Sequence, residues 1–190
     1  MGNALVSEAR IVEEVQKALA KSLRRKEDPA SIRLDASVME DLGGTSLDFL
    51  DLTFRLEQAF GIRLAHTTIL DHVEETFGEG KAIDGSGALT KDAVEVLKDR
   101  MGSPDGLSVG MYSDEVPRLV TPNTLARGVR EILAALPPAC THCKAAQWTS
   151  PDGAKVKCGA CGKDAAYPDG DSLAKAWLEK VAKEKGLFAG

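Results

Sequence analysis

Five side chains in this sequence have the types and spacing that chemistry needs. Four are Cys140, Cys143, Cys158 and Cys161, set as two Cys-x-x-Cys pairs with fourteen residues between them. Each pair can turn two thiolates to one side of a tight turn, and two such pairs complete a tetrahedral metal site. No cysteine stands elsewhere in the chain to pair with them, and in a reducing compartment such a cluster reads as metal binding before disulfides. Gln147 to Ser150, then Pro151-Asp152-Gly153, then Ala154 to Lys157 read as strand, turn and strand. Such a hairpin carries the second pair back to the first. The expected product is a zinc ribbon whose metal is closed off by four thiolates, and a closed site does not activate water. Rubredoxin-type iron binding is typically built with a longer gap. Redox chemistry at one pair explains the second pair less well than a single closed site does. His142 lies inside the first turn and is expected to be an exposed bystander.

The fifth residue is Ser46, at the end of Asp41-Leu42-Gly43-Gly44-Thr45. It stands where a glycine-rich loop enters an amphipathic helix. Small residues ahead of it let a bulky group approach the backbone, and a helix N-terminus favours a phosphate on that hydroxyl. The plainer reading is helix capping. Thr45-Ser46-Leu47-Asp48 fits a capping box; with Thr45 as the cap, Ser46 becomes the first helical residue and its hydroxyl is left free.

The elements that must position these residues follow from periodicity. Ile11, Val15, Ala18 and Leu19 predict a helix from Ser7 to Leu23. A second helix is predicted from Ser46 to Phe60, with Gly61 as its C-cap. Its Asp48, Asp51, Arg55 and Gln58 make one exposed polar stripe, while the rest of its circumference is apolar, so it is expected to be packed on several sides. Leu89 to Met101 predicts another helix, with Thr90 as a candidate N-cap. Thr121 and Pro122 open a further one that ends before Pro137-Pro138, and Ser172 to Lys185 predicts the last. The four glycines between Glu79 and Ala88 suggest a mobile loop. His66 and His72 are expected in a loop or on a helix surface.

The stretch Met39 to Leu52, continuing through Leu56-Glu57-Gln58-Ala59-Phe60-Gly61-Ile62, resembles the acyl carrier protein family. The family's Leu-Gly-x-x-Ser-Leu core is matched at Leu42 to Leu47. Thr45 stands where many members have Asp, whereas Gly-Gly-x-Ser-Leu is common in peptidyl carrier relatives. The resemblance implies a 4'-phosphopantetheine arm on Ser46, installed by a phosphopantetheinyl transferase. It implies acyl or aminoacyl thioesters on the arm's thiol, and partners that load and use them: a ligase, then a synthase or transferase, in fatty acid, polyketide or related biosynthesis. It also implies partner docking at the start of this helix, through Leu47, Asp48, Asp51 and Glu57, against the basic patches usual on the family's partners.

The expected architecture is mainly α: an acyl-carrier-type four-helix bundle over residues 1–136 with a helical insertion at about 66–117, then a β-hairpin zinc ribbon and a C-terminal helix over 137–190. The net charge of -5 argues against a general nucleic-acid binder. Lys144, Lys155, Lys157 and Lys163 give the ribbon some basic character, but the acidic residues there largely balance them. No apolar run reaches the length of a membrane helix. Met1 to Val6 lacks the charge and apolar block of a signal peptide, and Val6 stands where myristoylation needs Ser or Thr. A cytoplasmic protein is therefore expected. No serine sits in a triad string, and Glu79 to Ala88 lacks the Gly-Lys-Ser/Thr ending of a phosphate loop. The chain is expected not to be an enzyme. The competing expectation is an unmodified scaffold that acts through its ribbon.

Overall fold

Helix α1 spans Glu8–Ser22 in the computed structural model, which describes residues 5–189. The segment Met1 to Ala4, on which the leader and myristoylation readings mainly rest, lies outside the described residues. Ser7 caps α1 by accepting the Arg10 N–H at 3.2 Å. Ile11, Val15, Ala18 and Leu19 form its buried stripe, as the 3.6-residue period requires.

The remaining helices are α2 Ser46–Phe60, α3 Ile69–Phe77, α4 Lys91–Met101, α5 Pro122–Ala134 and α6 Gly170–Lys185. Short 3-10 turns lie at Pro29–Ser31 and Ser113–Leu119. Strands β1 Trp148–Thr149 and β2 Lys157–Cys158 pair antiparallel, with Trp148 opposite Cys158. Fold class is thus mainly α with one small hairpin. None of the described helices is long and apolar enough to cross a membrane.

The chain forms two compact units, each built from two stretches. Met1–Leu64 with Thr121–Asp169 makes the first, and Ala65–Val120 with Gly170–Gly190 makes the second. In the first unit α1 packs against both α2 and α5. The long α1–α2 loop is tied down at two places. Buried Gln16 donates its amide to the Ile32 carbonyl at 2.8 Å, and the Asn123 N–H reaches the Leu34 carbonyl at 3.0 Å. The hairpin and all four cysteines belong to this unit.

In the second unit α6 packs against α3 and α4 around Leu70, Val73, Ala93, Val94, Leu97 and Leu178. Its apolar stripe is thus covered by these two helices, which periodicity by itself does not specify. The glycine-rich stretch expected to be mobile is held by hydrogen bonds. The Glu74 carboxylate accepts the N–H groups of Gly80, Ala82 and Ile83 at 2.6, 2.7 and 3.0 Å. Asp84 accepts those of Ser86 and Ala88. His72, expected at a surface, is buried at 4% exposure. Its Nε2 lies 3.2 Å from Asp171 Oδ1, which replaces the water a surface imidazole would use.

Candidate functional site

Two glycines shape the entry to α2. Gly43 takes φ +73, in the left-handed region that favours glycine. Gly44 has no room for a side chain, because a Cβ there would meet the Val38 carbonyl oxygen at 2.8 Å. The same carbonyl accepts the Gly44 N–H at 2.8 Å. Gly44 thus serves the chain's own close approach, and Gly43 its turn.

Thr45 is the N-cap of α2. Its hydroxyl accepts the Asp48 N–H at 3.3 Å, and Asp48 in turn accepts the Thr45 N–H at 2.8 Å. Both halves of the capping box are present. Ser46 is therefore the first residue of the helix, exposed, and its hydroxyl makes no hydrogen bond among the described residues. The cap and the candidate attachment point are different residues, so capping leaves the Ser46 hydroxyl unused.

The four docking candidates from sequence fall on α2 in different settings. Leu47 is 76% exposed. Asp48 is held below its usual carboxyl range by the Thr45 hydroxyl and N–H, with Arg24 adding attraction. Asp51 is lowered by its hydrogen bond from Arg55, with Nε 2.7 Å from Oδ2. Glu57 faces the other way along the chain and accepts the Leu64 N–H at 2.8 Å. The expectation that α2 is packed on several sides is corrected. Leu47, Leu50 and Phe54 are 76, 65 and 57% exposed and follow one another at helical spacing beside Ser46. Only Leu52, Leu56 and Phe60 are fully buried. Apolar residues on two faces of a helix look alike in sequence, and only packing tells which face is covered.

The four cysteines come together. Their sulfurs all lie within 4.8 Å of one another, with Cys140 to Cys161 at 3.8 Å and Cys143 to Cys158 at 3.5 Å. A tetrahedral set at the usual zinc–thiolate bond length spaces its sulfurs by about 3.8 Å. A disulfide needs about 2.05 Å. Each pair forms the same turn. The Lys144 N–H bonds the Cys140 carbonyl at 2.9 Å, and the Gly162 N–H bonds the Cys158 carbonyl at 2.8 Å.

The backbone also prepares thiolates. N–H groups of Cys143 and His142 bring Cys140 down to about 6, and those of Cys161 and Ala160 lower Cys158. For Cys143 the Ala145 N–H pulls downward, but the sulfurs of Cys161 and Cys158 prevail and push it to about 12. Crowded sulfurs cannot all carry charge without a cation among them. The donor set, spacing and N–H pattern fit a metal ion. His142 is exposed and lies outside this cluster.

Against known proteins, the family described as phosphopantetheine attachment site matches this chain over residues 13–74. Ser46 lies within that stretch, at the start of α2. The chain also resembles the acyl carrier protein of Campylobacter hominis, at 35% identity over 54 residues. That alignment covers 28% of this chain and 66% of the relative, so this chain spans a little under two thirds of it. No solved structure matches.

The match stops at residue 74, inside α3, which the sequence reading did not delimit. A signal was present. Thr68 and Asp71 form a capping box, the Asp71 N–H donating to Thr68 Oγ1 at 3.1 Å and the Thr68 N–H to Asp71 Oδ2 at 3.3 Å.

Proposed function

We propose that this chain is an acyl or aminoacyl carrier protein that bears 4'-phosphopantetheine on Ser46 and zinc on Cys140, Cys143, Cys158 and Cys161. One observation carries the carrier reading: a free, exposed serine hydroxyl on the first turn of α2, inside the segment that matches phosphopantetheine attachment sites.

Ser46 is the nucleophile of the loading step, on a transferase that supplies the base. Its oxygen attacks the phosphorus of coenzyme A that carries the pantetheine. A new P–O bond forms, the diphosphate bond breaks, and adenosine bisphosphate leaves. When attached, the arm supplies a thiol that holds an acyl group as a thioester. The chain's own part is to present Ser46 at a capped helix N-terminus, where N–H groups favour the phosphodiester.

Partners are a phosphopantetheinyl transferase, a loading ligase and a downstream synthase or transferase, in fatty acid, polyketide or related biosynthesis. They dock along α2 from its start, through Leu47 and the neighbouring exposed Leu50 and Phe54, with Asp48 and Asp51 adding charge near Ser46 and Glu57 further along. The chain acts in the cytoplasm and does no catalysis itself. Zinc in a closed thiolate shell has a structural role.

The test is intact mass and peptide mapping after incubation with coenzyme A and a broad-specificity transferase, for wild type and Ser46→Ala. One arm on the Ser46 peptide, absent from the folded variant, is the expected result. No gain on folded, unmodified wild type, with a control carrier loaded in parallel, sinks the carrier reading and favours a scaffold acting through the ribbon.

A further inference from the structure

The hairpin has two-residue strands, too short to be stable alone. It folds because it leans on the helices of its own unit. Ala154, Val156 and Cys158 alternate inward, at 3, 3 and 1% exposure. One hydrogen bond and two close approaches place it. The Trp148 indole N–H donates to the Pro137 carbonyl at 3.0 Å, just past α5. At the turn, a Cβ on Gly153 would sit 3.8 Å from Arg10 Cγ of α1, and Asp152, held below its usual carboxyl range first by the Ala154 N–H, is lowered further by the Arg10 charge. On the far side, a Cβ on Gly61 would sit 3.7 Å from Lys155 Cγ. Gly61 is the C-cap of α2, so Lys155 covers the end of the helix that Ser46 begins, where a cation is favoured.

We infer that metal occupancy at the four cysteines sets the stability of the arm-bearing unit, so that the ribbon is a brace for α1 and α2 as well as a metal knot. The inference rests on the zinc-ribbon reading above. Metal binds only when both turns are formed and brought together by the hairpin. The hairpin is formed only against α1 and the end of α2. An ion that binds only this arrangement stabilises everything folded with it, and the coupling runs equally in both directions. Losing the ion lets the hairpin draw away from Arg10 and Lys155 and loosens both helices.

The experiment is hydrogen exchange read by mass spectrometry on the full chain, metal-loaded and after removal by a strong chelator, with metal content measured first. Peptides from α1 and from the C-terminal half of α2 are expected to exchange about tenfold faster or more without metal. Peptides from α3 and α4, in the other unit, serve as the internal control and change little. Arg10→Ala touches no ligand; it keeps its metal, and its α1 peptides show a smaller difference between the two states. Changes confined to residues 140–165, with α1 and α2 unaffected, overturn the inference while leaving the ribbon. A purified protein without stoichiometric metal overturns both the ribbon reading and the inference. Neither outcome touches arm loading at Ser46.

Discussion

Lys144 and Gly162 occupy equivalent places, each one residue past the second cysteine of its pair, with φ of 64 and 72. Both send their N–H back to the carbonyl of the first cysteine. The two turns are thus copies of one another, yet only one has the residue suited to the left-handed region. Lys144 retains a side-chain hydrogen bond to the Thr141 carbonyl at 3.2 Å, an exposed contact of small value. Lys144→Gly is expected to stabilise the ribbon by about 0.5–1 kcal/mol, since the left-handed penalty removed slightly exceeds the entropy glycine adds to the unfolded chain. Chemical denaturation of the metal-loaded protein checks it, and a loss of stability refutes the argument.

Gly44 faces the opposite constraint. With a Cβ brought within 2.8 Å of the Val38 carbonyl, Gly44→Ala must displace the backbone that aims α2. A cost of about 1–3 kcal/mol is expected, read as a lower denaturation midpoint. Gly43→Ala, at φ +73 with no atom within 4 Å, should suffer only the milder left-handed penalty. Equal effects from the two would refute the close-contact reading.

The exposed stripe beside Ser46 separates stability from recognition. Leu47→Ser and Phe54→Ser remove side chains that are 76 and 57% exposed. Stability should stay within about 0.5 kcal/mol. Loading of Ser46 should slow about tenfold or more in kcat/KM if partners grip these side chains as central apolar anchors. Unchanged loading kinetics would remove them from the docking surface.

Acid should act on the second unit through Asp171. Partial burial pushes its carboxyl up, but the N–H groups of His66 and Thr67 and the His72 ring outweigh this and hold it below its usual value. A lowered folded pKa means the stabilisation is complete above the unfolded value of about 3.9 and is lost as pH falls through the folded one. Hydrogen exchange in α3 and α6 should therefore accelerate only in that acid window. In Asp171→Asn the acid-dependent part should vanish, and a variant with the wild-type acid profile would assign the effect to other carboxylates.

Local chemistry was legible in the sequence because it is short-range. The spacing of two Cys-x-x-Cys pairs dictates their turns, and Thr45 three residues before Asp48 dictates a helix start and frees Ser46. The bounds of α2, and of α5 behind Thr121 and Pro122, are likewise set by caps within one turn. Tertiary structure alone decided what depends on partners distant along the chain. It placed Leu47, Leu50 and Phe54 in solvent and Leu52, Leu56 and Phe60 in the core, although all six are apolar on one helix. It buried His72 because Asp171, ninety-nine residues away, supplies the hydrogen bond that burial demands. It also set α6 against α3 and α4 and brought the Gly153 turn beside Arg10 of α1. Periodicity shows that a face is apolar, but which surface covers it is a property of the whole folded chain.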